Sequence, residues 1–176
     1  MAKLHTLILT LLGADRPGLV ELLARETESN GGNWVESRMC RLGGQFAGIL
    51  RIEVPPANAA PLRKALERAA GDDLRMGIHL EERQHPAPKG TAADLDLVGQ
   101  DRPGIVHEIA RALAARRVNV EEMTSGCESA PMSGERLFRA HFRVVLPPGC
   151  RVSELRSVID KIANDLVVDV QFAPAE

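Results

Sequence analysis

The sequence predicts an α+β fold in which one βαββαβ unit occurs twice in tandem, each copy an antiparallel four-stranded sheet with both helices on one face. Three observations predict it. The segment Leu12-Gly13-Ala14-Asp15-Arg16-Pro17-Gly18-Leu19-Val20 recurs as Val98-Gly99-Gln100-Asp101-Arg102-Pro103-Gly104-Ile105-Val106, an offset of 86 from Asp15 to Asp101. That offset holds through Asn33 and Asn119. It then becomes 92, so that Phe46, Leu50, Ile52, Val54 and Pro55 fall on Phe138, Phe142, Val144, Leu146 and Pro147. The length of 176 residues suits two units of about 80–90 residues. The units are expected at 1–85 and 92–176, with a linker at 86–91 that overlaps the polar, proline-containing stretch Gln84–Gly90.

Each element has a local reason. The first strand is expected over Thr6–Leu12 and Ala92–Val98, where Leu95 and Leu97 alternate with Asp94 and Asp96, one face buried and one wet. The first helix follows, its apolar positions Leu19, Val20, Leu23 and Ala24 matching Ile105, Val106, Ile109 and Ala110. Gly31-Gly32 is expected to end it in the first copy and Arg116-Arg117 in the second. A hairpin comes next, Asn33–Leu42 with Phe46–Val54 and Asn119–Cys127 with Leu137–Leu146, turned in the first copy by Leu42-Gly43-Gly44-Gln45. The six extra residues of the second copy fall around Ser125–Glu135, read as a loop at the hairpin tip. Pro55-Pro56 and Pro147-Pro148 stop the third strand. The second helix carries Leu62, Leu66 and Ala69, matched by Leu155, Ile159 and Ile162, and a last strand over Leu74–Glu82 and Val167–Phe172 closes each unit. The opposite face of each sheet is left to be covered or wetted, and the free edges invite pairing, so a homodimer is expected.

Composition narrows the function. Hydrophobic residues make up 44% and charged residues 26%, and the net charge of −2 supplies no basic field to gather nucleic acid or anionic lipid. No apolar run is long enough to span a bilayer. Met1-Ala2-Lys3-Leu4-His5 does not read as a secretory signal, and Cys40, Cys127 and Cys150 form no disulfide framework and no CxxC pair, which points to the cytoplasm. The five histidines show no metal-ligand spacing, so no metal and no cofactor is expected. Phosphate-binding loops, a nucleophile elbow and clusters of titratable groups are all missing, and the chain is expected not to be an enzyme. An RNA-recognition use of the fold needs exposed aromatics. Here aromatics are 3% of the chain, and Phe46, Phe138 and Phe142 share their strand phase with core residues.

The duplicated Asp-Arg-Pro-Gly turn carries the candidate chemistry. Pro17 and Pro103 are expected at the first helical position, where a missing N–H goes unnoticed. Asp15 and Asp101 are expected to accept from N–H groups at the helix start. Gly18 and Gly104 clear the way for another surface, and the free N–H groups around Leu19 and Ile105 make a seat for a carboxylate. Arg16 and Arg102 complete the turn. The same residues also make a good helix start, worth about 1 kcal/mol. Asn33 and Asn119 offer a donor and an acceptor together, suited to an ammonium and a carboxylate, and equally suited to a turn.

The strand–[Gly-x-Asp-Arg-Pro-Gly]–helix–Asn–hairpin arrangement resembles the ACT domain, a regulatory module that binds amino acids at interfaces between paired units. The tandem, with Gly13–Gly18, Asn33–Arg38, Leu42-Gly43 and Phe46, resembles the branch of that family that represses transcription of glycine cleavage. The resemblance implies a ferredoxin-like fold. It also implies a non-enzymatic sensor with an amino acid such as glycine or serine held between the two units, its carboxylate on the helix starts at Gly18 and Gly104. Such a regulator acts through a partner transcription activator, without binding nucleic acid itself; no helix-turn-helix and no basic arm is present. The alternative it leaves open is a regulatory subunit giving amino-acid feedback control of a metabolic enzyme.

Overall fold

The computed structural model describes residues 4–81, 89–130 and 134–174. The chain divides into two compact units, Met1–His85 and Pro86–Glu176. The first contains β1 (His5–Ala14), α1 (Leu19–Ser29), β2 (Asn33–Leu42), β3 (Gln45–Val54), α2 (Pro56–Ala70) and β4 (Leu74–Glu81). The second contains β5 (Thr91–Gln100), α3 (Ile105–Ala115), β6 (Asn119–Ser129), β7 (Arg136–Leu146), α4 (Val152–Leu166) and β8 (Val168–Pro174). The sheets run β2-β3-β1-β4 and β6-β7-β5-β8, with every neighbouring pair antiparallel. Each unit is therefore a ferredoxin-like α+β fold. Residues 86–88 of the expected linker lie outside the described residues, and Thr91, assigned to it from sequence, opens β5.

Alternation builds each core. In the first unit Leu7, Leu9 and Leu11 of β1 face Leu50 and Ile52 of β3, and α1 and α2 cover them with Leu23, Leu62 and Leu66. The second unit repeats this with Leu95, Leu97, Phe142, Val144, Ile109, Leu113, Leu155 and Ile159. Phe46 and Phe138 pack against these clusters, and Phe142 is fully buried, so these three phenylalanines belong to the cores. The first helix keeps half of its expected face. Leu19, Leu23, Ile105 and Ile109 are buried as expected, whereas Val20 and Val106 are 48% and 36% exposed and Ala24 and Ala110 are exposed; Thr27, Ala112 and Leu113 complete the buried stripe. Thr27 is tolerated there because its hydroxyl donates to the Leu23 carbonyl at 2.7 Å.

The helix ends use backbone chemistry. Gly31, at φ 70°, caps α1, with its N–H on Glu28 O and the Gly32 N–H on Thr27 O, the paired bonds of a Schellman ending. In the second unit Arg117 takes the same left-handed conformation at φ 55°, with matching bonds from Arg117 to Ala114 and from Val118 to Leu113. Gly43 and Gly44, both at positive φ, make the tight turn of the first hairpin. The second hairpin differs from expectation. Ser125–Ser129 belong to β6 rather than to a loop, so part of the extra length extends the arms; residues 131–133 lie outside the described residues.

The duplication also shows where the units diverge. On the helix-free face, Ile8 of β1 stands where β5 has Asp94, and Ile49 of β3 where β7 has His141. Arg143 donates to Asp94 from Nε at 3.0 Å and Nη2 at 3.2 Å. In the first unit Ile8 offers Arg51 no carboxylate; its Nε is buried without a partner among the described residues, and Nη2 reaches Glu81 at 3.3 Å. The Arg143 hydrogen bond, and then the Arg143 and His141 charges, hold the Asp94 carboxyl below its ordinary value of 3.8 against an opposing desolvation. A carboxyl depressed in this way keeps its bond at and above that ordinary value and loses it as the pH falls through the folded value. We expect the Asp94 carboxyl resonance to titrate below 3.8 and to return toward 3.8 in Arg143→Ala. An unmoved midpoint in the variant contradicts the pairing.

Candidate functional site

Both units build the same turn after the first strand. Gly18 and Gly104 are the N-cap residues, at φ 91°, ψ 0° and φ 97°, ψ −10°, a left-handed conformation that glycine adopts without penalty. Among the described residues a Cβ at either position would meet nothing within 4 Å, so the glycine is kept for its φ and leaves the turn open. Two expectations are corrected here. Pro17 and Pro103 precede the cap rather than opening the helix, because the left-handed glycine intervenes. Asp15 and Asp101 do not cap the helices: among the described residues neither helix start has a side-chain cap, and Leu19 and Ile105 begin the helices with their leading N–H groups free of one.

The aspartates tie the turn to the hairpin instead. Asp15 N–H donates to Gly44 O at 2.9 Å, and Arg41 Nε donates to the Asp15 carboxylate at 2.6 Å. In the second unit Asp101 N–H donates to Arg136 O at 3.0 Å, and Arg136 Nε lies 3.1 Å from the Asp101 carboxylate. The neighbouring Cys127 side chain, and then the Asp101 carboxylate, hold the Arg136 guanidinium above its ordinary value. The two arginines sit at different places, one on β2 and one on β7, yet hold the same carboxylate. Neither was legible in the repeat for that reason. Arg102 donates to the Gln100 side chain at 2.9 Å, and Arg16 is exposed with no side-chain partner among the described residues.

Gly13 and Gly99 have a different task. A Cβ on Gly13 would lie 2.4 Å from Asp73 O, and on Gly99 2.8 Å from Val168 Cγ2 and 2.9 Å from Val167 O. These glycines let the last strand close on the end of the first, just ahead of the turn. They belong to the repeated motif, and only the strand pairing reveals their role. Val20 and Val106 flank the turns as exposed apolar side chains, which helical spacing had assigned to the core.

The asparagines do not join the turn of their own unit. Asn33 pairs with Glu53, which pairs with Thr6 at the start of β1, while Ala14 before the turn pairs with Gln45. Those rows are about 27 Å apart, eight strand steps. Asn119 repeats the arrangement opposite Val145, and its amide lies 3.4 Å from Glu121 Oε1. So the structure groups Asp15, Arg16, Pro17, Gly18 and Leu19, and likewise Asp101, Arg102, Pro103, Gly104 and Ile105, and leaves each asparagine at the far end of its sheet.

Twin ferredoxin-like units, each with an open glycine turn between first strand and first helix, define a tandem-repeat α+β protein. ACT domain models match residues 5–81 and 94–149, and the chain belongs to the ACT domain family. It is similar to the glycine cleavage system transcriptional repressor of Escherichia coli (strain K12), 27% identical over 148 residues that cover 82% of this chain and 75% of the relative. The repressor of that name from Shigella flexneri matches to the same extent. Among solved structures, a protein of unknown function from Galdieria sulphuraria has a TM-score of 0.89 at 24% identity, covering 99% of this chain and 100% of its own. A candidate glycine cleavage system transcriptional repressor has a TM-score of 0.71 at 18% identity, covering 98% of both chains. These two likenesses establish the shared fold.

Proposed function

We propose that the chain is a non-enzymatic amino-acid sensor that regulates glycine cleavage or related amino-acid metabolism through a partner transcription activator. The observation that carries this reading is the duplicated helix start: two left-handed glycines, open space beside them and no side-chain cap, a seat for a carboxylate in each unit. Similarity to the repressors supports the regulatory half. A partner that holds the DNA suits a chain whose net charge of −2 supplies no basic field for nucleic acid. Among the described residues no helix is long and apolar enough to cross a membrane and no group of side chains is arranged to hold a metal ion. Cys40, Cys127 and Cys150 are free thiols, as a reducing cytoplasm keeps them. The edge strands β2, β4, β6 and β8 support a homodimer, which light scattering checks.

Glycine or serine is the ligand we expect, its carboxylate on a turn. One unit holds its turn and its asparagine about eight strand steps apart, so these two groups of a single unit do not meet on one small ligand. Asn33→Ala or Asn119→Ala is expected to weaken binding by about 1–3 kcal/mol, roughly 5- to 150-fold, with the melting temperature of the free protein unchanged. Calorimetry on the wild type and both variants measures this. Equal affinity in all three removes the asparagines from the site and leaves the turns alone as the seat.

A further inference from the structure

The helix-free face of the first sheet is apolar where its twin is charged. Ile8 and Leu12 of β1 and Ile49 of β3 stand on it in adjoining rows, with Ala47 opposite Leu12. Leu12 and Ile49 are 45% and 53% exposed. At the places of Ile8, Ile49 and Ala47 the second sheet carries Asp94, His141 and Arg139. Exposed apolar side chains grouped in this way mark a surface that gains free energy by being covered.

Charge is laid out along the strands of the same face. Arg51 is engaged with Glu81, and Arg38 with Glu36. Glu53 on β3 and Arg75 on β4 have no side-chain hydrogen bond or ion pair among the described residues. Glu53 lies opposite Thr6 at the start of β1, and Arg75 opposite Leu12 near its end. Those two rows are about 20 Å apart. The face is therefore apolar in the middle, with an unspent carboxylate toward one end and an unspent guanidinium toward the other. Such a surface is complementary to a copy of itself turned end for end.

We propose that the helix-free face of the first sheet is where a second copy of this chain docks, sheet on sheet, with the strands of the two copies running in opposite directions. A two-fold axis then sets the Glu53 end of one copy over the Arg75 end of the other, twice, and brings the Ile8, Leu12 and Ile49 clusters together at the centre. Four strands span about 19 Å and the rows from Thr6 to Ala14 about 27 Å, so each copy supplies about 500 Å² and the pair about 1,000 Å², the size at which a specific interface begins. Stacking the second sheet on itself would instead take the Asp94 and Arg139 charges out of water, a cost the first sheet does not carry at those positions. The proposal rests on the expected homodimer and names its surface; it needs neither a ligand nor the glycine turns.

Sedimentation equilibrium of the full chain over a micromolar concentration series tests this. The wild type is expected to be a dimer. Ile49→Asp is expected to raise the dissociation constant at least about 100-fold, because each association would bury unpaired carboxylates. Glu53→Arg and Arg75→Glu are each expected to raise it about tenfold by setting like charges face to face, and the double variant to return it toward the wild-type value. His141→Ala, on the second sheet, is expected to leave it unchanged. Ile49 and Arg75 are exposed, so circular dichroism is expected to show their variants folded. A monomeric wild type overturns the docking face and the homodimer together. A dimer that Ile49→Asp leaves intact, or charge variants that the double variant does not rescue, overturn the face alone and return the homodimer to the strand edges.

Discussion

Leu9→Ala is expected to lower the unfolding free energy of the protein by about 3–5 kcal/mol, the largest single effect the structure predicts. Leu9 is fully buried at the middle of β1, with Leu50 on one side and Ile78 on the other, and α1 and α2 pack over the same face. Truncation removes the transfer energy of the side chain and leaves a cavity that a regular sheet cannot close, because its strand spacing is fixed by the ladder. Urea denaturation measures it: the midpoint falls while the dependence on denaturant stays constant. A loss near 1 kcal/mol would mean the core around β1 collapses freely, contrary to the packing seen.

Gly13→Ala is the second, with an expected destabilisation of about 1–3 kcal/mol from overpacking. The neighbour in the way is backbone, the Asp73 carbonyl at 2.4 Å, so no rotamer change relieves it. Gly18→Ala separates this from conformational strain. Nothing lies near its Cβ, and the expected loss of about 1–2 kcal/mol comes from holding alanine at φ 91°. The two variants differ in a second way. Displacing β4 changes the stability of the first unit, whereas strain at the cap changes the shape of the turn, so Gly18→Ala is the one expected to weaken ligand binding. Melting curves with and without amino acid separate the two.

The tandem fold was legible because the repeat and the strand periodicity report burial directly: Leu95 and Leu97 alternate with Asp94 and Asp96, and the sheet puts them inside and outside as that pattern demands. The turn was legible as a motif but not as a geometry. Helix-start rules place proline first and aspartate as cap, and a left-handed glycine overrides both by occupying the cap itself. What Asp15 and Asp101 do instead depends on Arg41 and Arg136, which come from the hairpin and occupy unmatched positions, so no local rule reaches them. The separation of Asn33 from Gly18 is a consequence of topology. A strand–helix–strand crossover returns the chain to the starting end of the sheet, which sequence proximity conceals.

A thermal-shift series of the full chain against each of the twenty amino acids tests amino-acid sensing most directly. Binding to the folded state at about 100 times the dissociation constant stabilises it by about 2.7 kcal/mol, which moves the melting temperature by several degrees. The account predicts such a rise for glycine, serine or a close analogue, saturating with concentration and selective over bulky side chains. A melting temperature unmoved by all twenty at millimolar concentration would contradict it.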